Sequence, residues 1–176
     1  ASLQGSNTDI DGIIRANVTY DGVGMFDVAY ETPRVGNYNL TVAKARRGGL
    51  VGEYFNNRWM YGDAVMTRID PMINFMWAAN DAITESGKDY ISVRWTGYIL
   101  PTFSEVYDFS LTVNDGVRLW VDDNLLIDSY ENEVDDSDGS IVFTAPTATS
   151  LHANQLSTIK IEFRENTGLA TAILSW

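Results

Sequence analysis

Between Ser92 and Asp123 apolar and polar residues alternate in three runs separated by two breaks. Val93, Trp95 and Ile99 share one parity in the first run, against Ser92, Arg94, Thr96 and Tyr98. In the second, Tyr107, Phe109, Leu111 and Val113 oppose Asp108, Ser110 and Thr112, and in the third Val117, Leu119 and Val121 oppose Arg118, Trp120 and Asp122. Successive side chains of a strand leave opposite faces, so a period of two predicts three strands, each with one buried face. The second break, Asn114-Asp115-Gly116, combines residues that tolerate positive φ and reads as a tight hairpin turn.

The same reading extends to both sides. Ala1 to Gly12 is polar and glycine-containing and reads as a loop or linker. IIRANVTY (13–20), MFDVAYETP (25–33) and NYNLTVAKA (37–45) read as strands broken by turns at 21–24 and 33–36. The basic, glycine-bearing segment Lys44–Gly49 interrupts the pattern and predicts a boundary, with one domain at 1–45 and a second at 46–176. In the second domain, Leu50–Trp59 reads as an aromatic first strand, INFMW (73–77) as a short one, and Ala78–Asp89 as a loop with room for one helical turn. Leu125–Tyr130, Ser140–Thr144, Thr158–Arg164 and Leu169–Trp176 complete the strands, with an acidic loop at Glu131–Gly139 and a turn at Asn166-Thr167-Gly168. Many short strands with almost no helical periodicity predict an all-β sandwich or barrel.

Composition narrows the chemistry. The 176 residues carry a net charge of −12, which opposes binding of nucleic acid or an anionic membrane surface and suits divalent cations or uncharged ligands such as glycans. There is no cysteine and a single histidine, His152, so neither a disulfide framework nor a multi-histidine metal site is available within one chain. No apolar run approaches the ~20 residues of a membrane-spanning helix. Trp95, Trp77 and Trp176 are expected core aromatics, Gly97 and Gly116 positions where the backbone excludes a side chain, and Arg94 a partner for a carboxylate across the sheet.

Two stretches resemble known families. DGVGMFDVAYETPRVGNYNLTV (21–42) resembles the C-terminal hairpin of a filamin-type immunoglobulin-like repeat. A complete sandwich of that type has ~7 strands, so the resemblance implies that neighbouring β-structure, from a longer chain or an adjacent one, completes residues 1–45. From Gly49 to Trp176 the chain resembles the protective-antigen (PA-14) domain family, through GLVGEYF (49–55), Asp70 with Phe75 and Trp77, SVRWTGYILP (92–101), VYDFSLTVNDGVRLWVDDNLLID (106–128) and IKIEFRENTGLATAILSW (159–176). That resemblance implies a PA-14-type β-sandwich or barrel and an association with carbohydrate. In the adhesin branch of the family two consecutive aspartates, joined by a cis peptide, bind Ca2+ that bridges to sugar hydroxyls. The matching positions here are Asn114 and Asp115, and the further ligand falls at Asn166, or at Glu165 beside it. Asparagine in place of the first aspartate keeps an oxygen but removes a charge.

Other candidates carry plainer readings. Glu131, Glu133, Asp135, Asp136 and Asp138 superficially resemble a calcium loop but lack its twelve-residue ligand pattern, and read as a solvated loop. The carboxylate pairs Asp122/Asp123 and Glu162/Glu165 are not singled out as a hydrolytic pair, and His152 reads as an exposed loop residue. Asn17 and Asn39 stand in glycosylation acceptor patterns, which favours an extracellular eukaryotic source. The combined expectation is a non-catalytic extracellular module of a larger cell-surface, fibrous or matrix protein, next to further β-domains and binding glycans with calcium. Its alternatives are an accessory domain of a larger glycosidase and a spacer without a ligand.

Overall fold

A computed structural model of the chain describes residues 2–5, 13–15, 17–20, 22–23, 25–29, 31, 38–41, 48–131 and 139–176. The chain divides into two compact units, Ala1–Arg46 and Arg47–Trp176. No helix is present among the described residues, so Ala78–Asp89 holds no helical turn.

In the first unit, β1 (Ser2–Gly5) lies between β2 (Ile13–Arg15) and β5 (Tyr38–Thr41), and β3 (Asn17–Tyr20) pairs with β4 (Phe26–Ala29), all antiparallel. Two sequence expectations change here. Ser2–Gly5 is a strand with partners on both edges rather than part of a linker, and IIRANVTY is two strands that join different sheets. A short polar strand has no amphipathic signature of its own, and only its hydrogen-bonding neighbours identify it. The side chains of Asn17 and Asn39 lie outside the described residues.

In the second unit two antiparallel sheets face each other. One takes the order β13 (Asn124–Ser129), β12 (Gly116–Val121), β16 (Ser157–Glu165), β9 (Ile91–Ile99), β6 (Leu50–Phe55), β7 (Met66–Asp70). The other takes the order β14 (Ile141–Thr144), β11 (Ser110–Asn114), β17 (Ala170–Ser175), β8 (Asn74–Trp77), and β10 (Glu105–Tyr107) forms a separate ribbon with β15 (Thr149–Leu151). The inward residues predicted from the alternation are the core: Val93, Trp95, Phe109, Leu111, Val113, Val117 and Leu119 are all 0 % exposed. Trp95 stacks on Phe75 at 5.8 Å, Phe75 on Trp77 at 4.8 Å, and Tyr54 meets Trp95 edge-on. Trp176, expected in the core, is instead 43 % exposed; the last residue of the chain lies across Phe109 at 6.0 Å with one face in water.

The break at Asn114–Gly116 is not a hairpin. β11 pairs with β14 and β17, whereas β12 pairs with β13 and β16, so the bend carries the chain from one sheet to the other. Both strands present an apolar face, and crossing between the layers lets both faces enter one core. The hairpin of this region lies one strand later, where Asp122 and Asp123, both at positive φ, connect β12 to β13. Gly116 is needed at the crossing because a β-carbon there would collide with the Tyr130 carbonyl, and one at Gly97 would meet the Leu50 side chain.

One carboxylate sits inside this fold. Asp70, 3 % exposed, accepts the Tyr54 hydroxyl (2.6 Å) and Trp95 Nε1–H (2.7 Å) on Oδ2, and Arg68 Nε–H (2.7 Å) on Oδ1. Burial, with the Asp70 charge beside it, raises the Tyr54 hydroxyl pKa well above the usual tyrosine range. On the outer face of the larger sheet Arg94 pairs with Glu162 at 3.3 Å, as the sequence pattern suggests, and Arg118 with Asp128 at 2.8 Å.

Candidate functional site

The strand registers gather distant segments at one end of the second unit. Phe55 lies opposite Ser92, Ile91 opposite Glu165, and Asn114 opposite Thr171, so the ends of β6, β11 and β16 and the starts of β9, β12 and β17 meet there. The structure therefore brings Asn114, Asp115 and Asn166 together, although 51 residues separate the last two. Asn114–Asp115 is a cis peptide, and the two residues are 1 % and 2 % exposed. Asp115 Oδ2 accepts the Asn166 main-chain N–H at 2.8 Å, and Asn166 O accepts the Tyr90 N–H at 2.8 Å. Asn114 Nδ2 donates to the Gly139 carbonyl at 3.1 Å, while its buried Oδ1 receives no hydrogen bond. Glu165, at 0 % exposure, lies next along the chain from the buried Arg164, whose carbonyl accepts the Asp115 N–H at 3.4 Å.

The alternation marks none of the other groups at this end as functional. Arg58 Nη1 donates to Asn166 Oδ1 at 2.8 Å, and its guanidinium packs on the rings of Trp59 (5.6 Å) and Tyr90 (5.5 Å). The strand expected over Leu50–Trp59 ends at Phe55, and residues 56–61 form a loop pinned to the sheet. Ser92 Oγ donates to Asn57 O and accepts the Met60 N–H, and the Tyr130 hydroxyl donates to Arg58 O at 2.6 Å. Ser92 thus turns inward despite standing on the polar parity of its strand, because the loop backbone supplies its partners. Burial, followed by the Glu162 charge, pushes the Tyr130 hydroxyl up to about 12. Beneath Tyr130 and Trp59 the Arg164 guanidinium, from a residue 2 % exposed, pairs with Glu131 Oε2 at 3.0 Å.

The oxygen atoms here match what a hard cation takes. Asn114 Oδ1 is a fully buried acceptor without a donor, Asp115 follows it in the chain, and Glu165 is buried at the end of β16, next to Asn166. Asn166 Oδ1 is engaged by Arg58, so Asn166 contributes through its main chain, which holds the Asp115 carboxylate. Among the described residues no group of three or more His, Cys, Asp or Glu side chains is placed to hold a metal ion. The observation at this end that suits a cation is the unbonded Asn114 Oδ1.

The remaining candidates fall elsewhere. Asp122 Oδ1 accepts the Thr158 N–H at 2.9 Å and braces a turn, and Glu162 lies among Arg94, Arg118 and Lys160 on the outer face. His152 is exposed. Of the acidic loop, Glu131 is engaged by Arg164, and Glu133, Asp135, Asp136 and Asp138 lie outside the described residues.

A PA14 domain family model matches residues 46–176. The anti-sigma-I factor RsgI3 of Acetivibrio thermocellus is 38% identical over 136 residues, 77% of this chain and 20% of that protein. A solved anti-sigma factor domain-containing protein superposes with a TM-score of 0.65 at 38% identity, covering 73% of this chain and 41% of that one. The PA14 sugar-binding domain from an RTX adhesin superposes with a TM-score of 0.55 at 17% identity, covering 73% and 89%, a likeness of fold. The chain spans about a fifth of the length of the curated relative and about two fifths of the solved one. These likenesses support the PA-14 resemblance and give none to the filamin-type repeat. Relatives named as anti-sigma factors also turn the expectation away from a fibrous or matrix protein.

Proposed function

Residues 46–176 belong to the PA14 domain family, and from that premise we propose that the end of the sandwich built by Asn114, Asp115 and Asn166 binds a glycan, with Ca2+ held by Asn114 Oδ1 and the Asp115 and Glu165 carboxylates. The observation that carries this reading is the orphaned Asn114 Oδ1, an acceptor 1 % exposed as a residue and aimed at no donor of the protein. Leaving such a group unsatisfied costs about 1–3 kcal/mol, and a cation removes that cost. A bound Ca2+ supplies a positive centre that accepts vicinal sugar hydroxyls as ligands. The chain's own part is to hold the oxygens: Asn166 N–H orients the Asp115 carboxylate, and Gly139 O fixes the Asn114 amide so that its oxygen faces away.

The sugar-binding name of the adhesin neighbour and the net charge of −12 both favour an uncharged carbohydrate over a polyanion. The anti-sigma relatives favour placing this end as the recognition surface of a larger regulatory protein, acting outside the cell and without catalysis. No helix among the described residues is long and apolar enough to cross a membrane.

Calorimetric titration with Ca2+ and then with sugars tests the reading. Asp115→Asn keeps an acceptor for Asn166 N–H and removes the charge, so it should fold normally yet lose calcium-dependent sugar binding. An Asp115→Asn chain that binds calcium and sugar like the parent would refute the assignment.

A further inference from the structure

The loop at residues 56–61 is held more firmly than its position requires. Asn57 Oδ1 accepts the N–H groups of Trp59 and Tyr61, both at 3.0 Å, and Asn57 Nδ2 returns a bond to Tyr61 O at 2.9 Å. Ser92 and Tyr130 fix three more backbone groups of the same loop, those of Asn57, Met60 and Arg58. Met60 (φ 53°) and Tyr90 (φ 58°) both occupy the left-handed region, which costs a non-glycine residue about 1–2 kcal/mol and persists only where surrounding contacts enforce it.

What this frame presents is aromatic surface in water. Trp59 and Tyr90 are each 54 % exposed, yet neither is loose. Trp59 packs on the Arg58 and Arg164 guanidiniums and against Tyr130, and Tyr90 packs on Arg58 and is tied through its N–H to Asn166 O. Exposed apolar residues scattered singly need no explanation, but two rings sharing one guanidinium that itself bonds to Asn166 Oδ1 form a patch continuous with the proposed sugar site. A rigid aromatic face edged by hydrogen-bond donors matches a pyranose ring, which has an apolar face of C–H groups and a rim of hydroxyls.

We propose that Trp59 and Tyr90, braced on Arg58, form a platform that stacks on a second sugar ring of a glycan whose first ring is held at Asn114–Asp115. The inference rests on the glycan reading above and adds that the site recognises at least two linked sugars. Trp59 and Tyr90 touch the ligand, and Arg58 supplies N–H groups to its hydroxyls, while Asn57 and Ser92 act as positioning residues.

The test is a chain-length comparison in the presence of Ca2+, titrating xylose against xylotriose, glucose against cellotriose and galactose against galactotriose. The trisaccharide of the preferred series should bind the parent chain roughly tenfold or more tightly than its monosaccharide. Trp59→Ala should remove that gain, with near-UV circular dichroism reporting an intact fold, and Trp59→Phe should restore part of it. Equal gain in Trp59→Ala and parent, or no gain in the parent, overturns the platform alone. A parent chain that binds none of these sugars overturns the glycan reading and the platform with it.

Discussion

Asp70 is the residue whose removal the sandwich should feel most, and the cost can be worked from its bonds. In Asp70→Ala the Tyr54 hydroxyl proton and Trp95 Nε1–H, both in residues 0 % exposed, lose their acceptor together. A buried donor left unsatisfied costs about 1–3 kcal/mol, so the pair costs about 2–6 kcal/mol. Arg68, whose side chain is 41% exposed, turns to water and adds less than about 1 kcal/mol. For a unit of roughly 130 residues, an unfolding entropy near 2.1 cal/mol/K per residue converts a loss of about 4 kcal/mol into a fall in Tm of about 15 °C. Asp70→Asn should lose about half as much: its carbonyl can take the place of Oδ2 and keep both buried donors, while its amide faces Arg68 Nε–H. Tyr54→Phe should cost about 1 kcal/mol in the parent but recover stability in Asp70→Ala, since it removes the hydroxyl that the alanine leaves without an acceptor. Thermal melts followed by near-UV circular dichroism, with urea titrations of tryptophan fluorescence, read the parent and the four variants. An Asp70→Ala loss below about 1 kcal/mol, or equal losses in the alanine and asparagine variants, would contradict the reasoning.

Alkaline pH should weaken the fold before it affects a denatured reference. Tyrosines in the unfolded chain ionise near pH 10, whereas Tyr130 holds its proton to about 12 and Tyr54 beyond that. Between these values the unfolded state binds fewer protons than the folded one, so stability is full below pH 10 and falls as pH rises, by about 2–3 kcal/mol for Tyr130 alone. Urea midpoints measured from pH 8 to pH 12 check this, and a flat profile would count against burial of the two hydroxyls. Gly116→Ala should destabilise by about 2 kcal/mol or more, because the added methyl meets the Tyr130 carbonyl in a buried backbone that has no room to yield, and a melt within about 2 °C of the parent would rule that out.

Much of this protein is legible in its residues alone. The period-two runs at 92–99, 107–113 and 117–121 specify which side chains enter the core, because a strand that buries one face has no alternative but to alternate. The same runs do not say which strands are neighbours. Val113 and Val117 sit four residues apart on opposite sheets, and the choice between a hairpin and a crossing at Asn114–Gly116 is made by β14, β16 and β17, dozens of residues away. Asn114, Asp115 and Asn166 were visible as candidates through family resemblance, but Arg58, Trp59 and Tyr90 were not. Loop residues carry no periodicity, and an aromatic side chain at the end of a strand looks the same in sequence whether it turns inward or outward. Local alternation determined the faces. Long-range pairing, which obeys hydrogen-bond registry between distant segments, decided where those faces close and which tips stand together at the end of the sandwich.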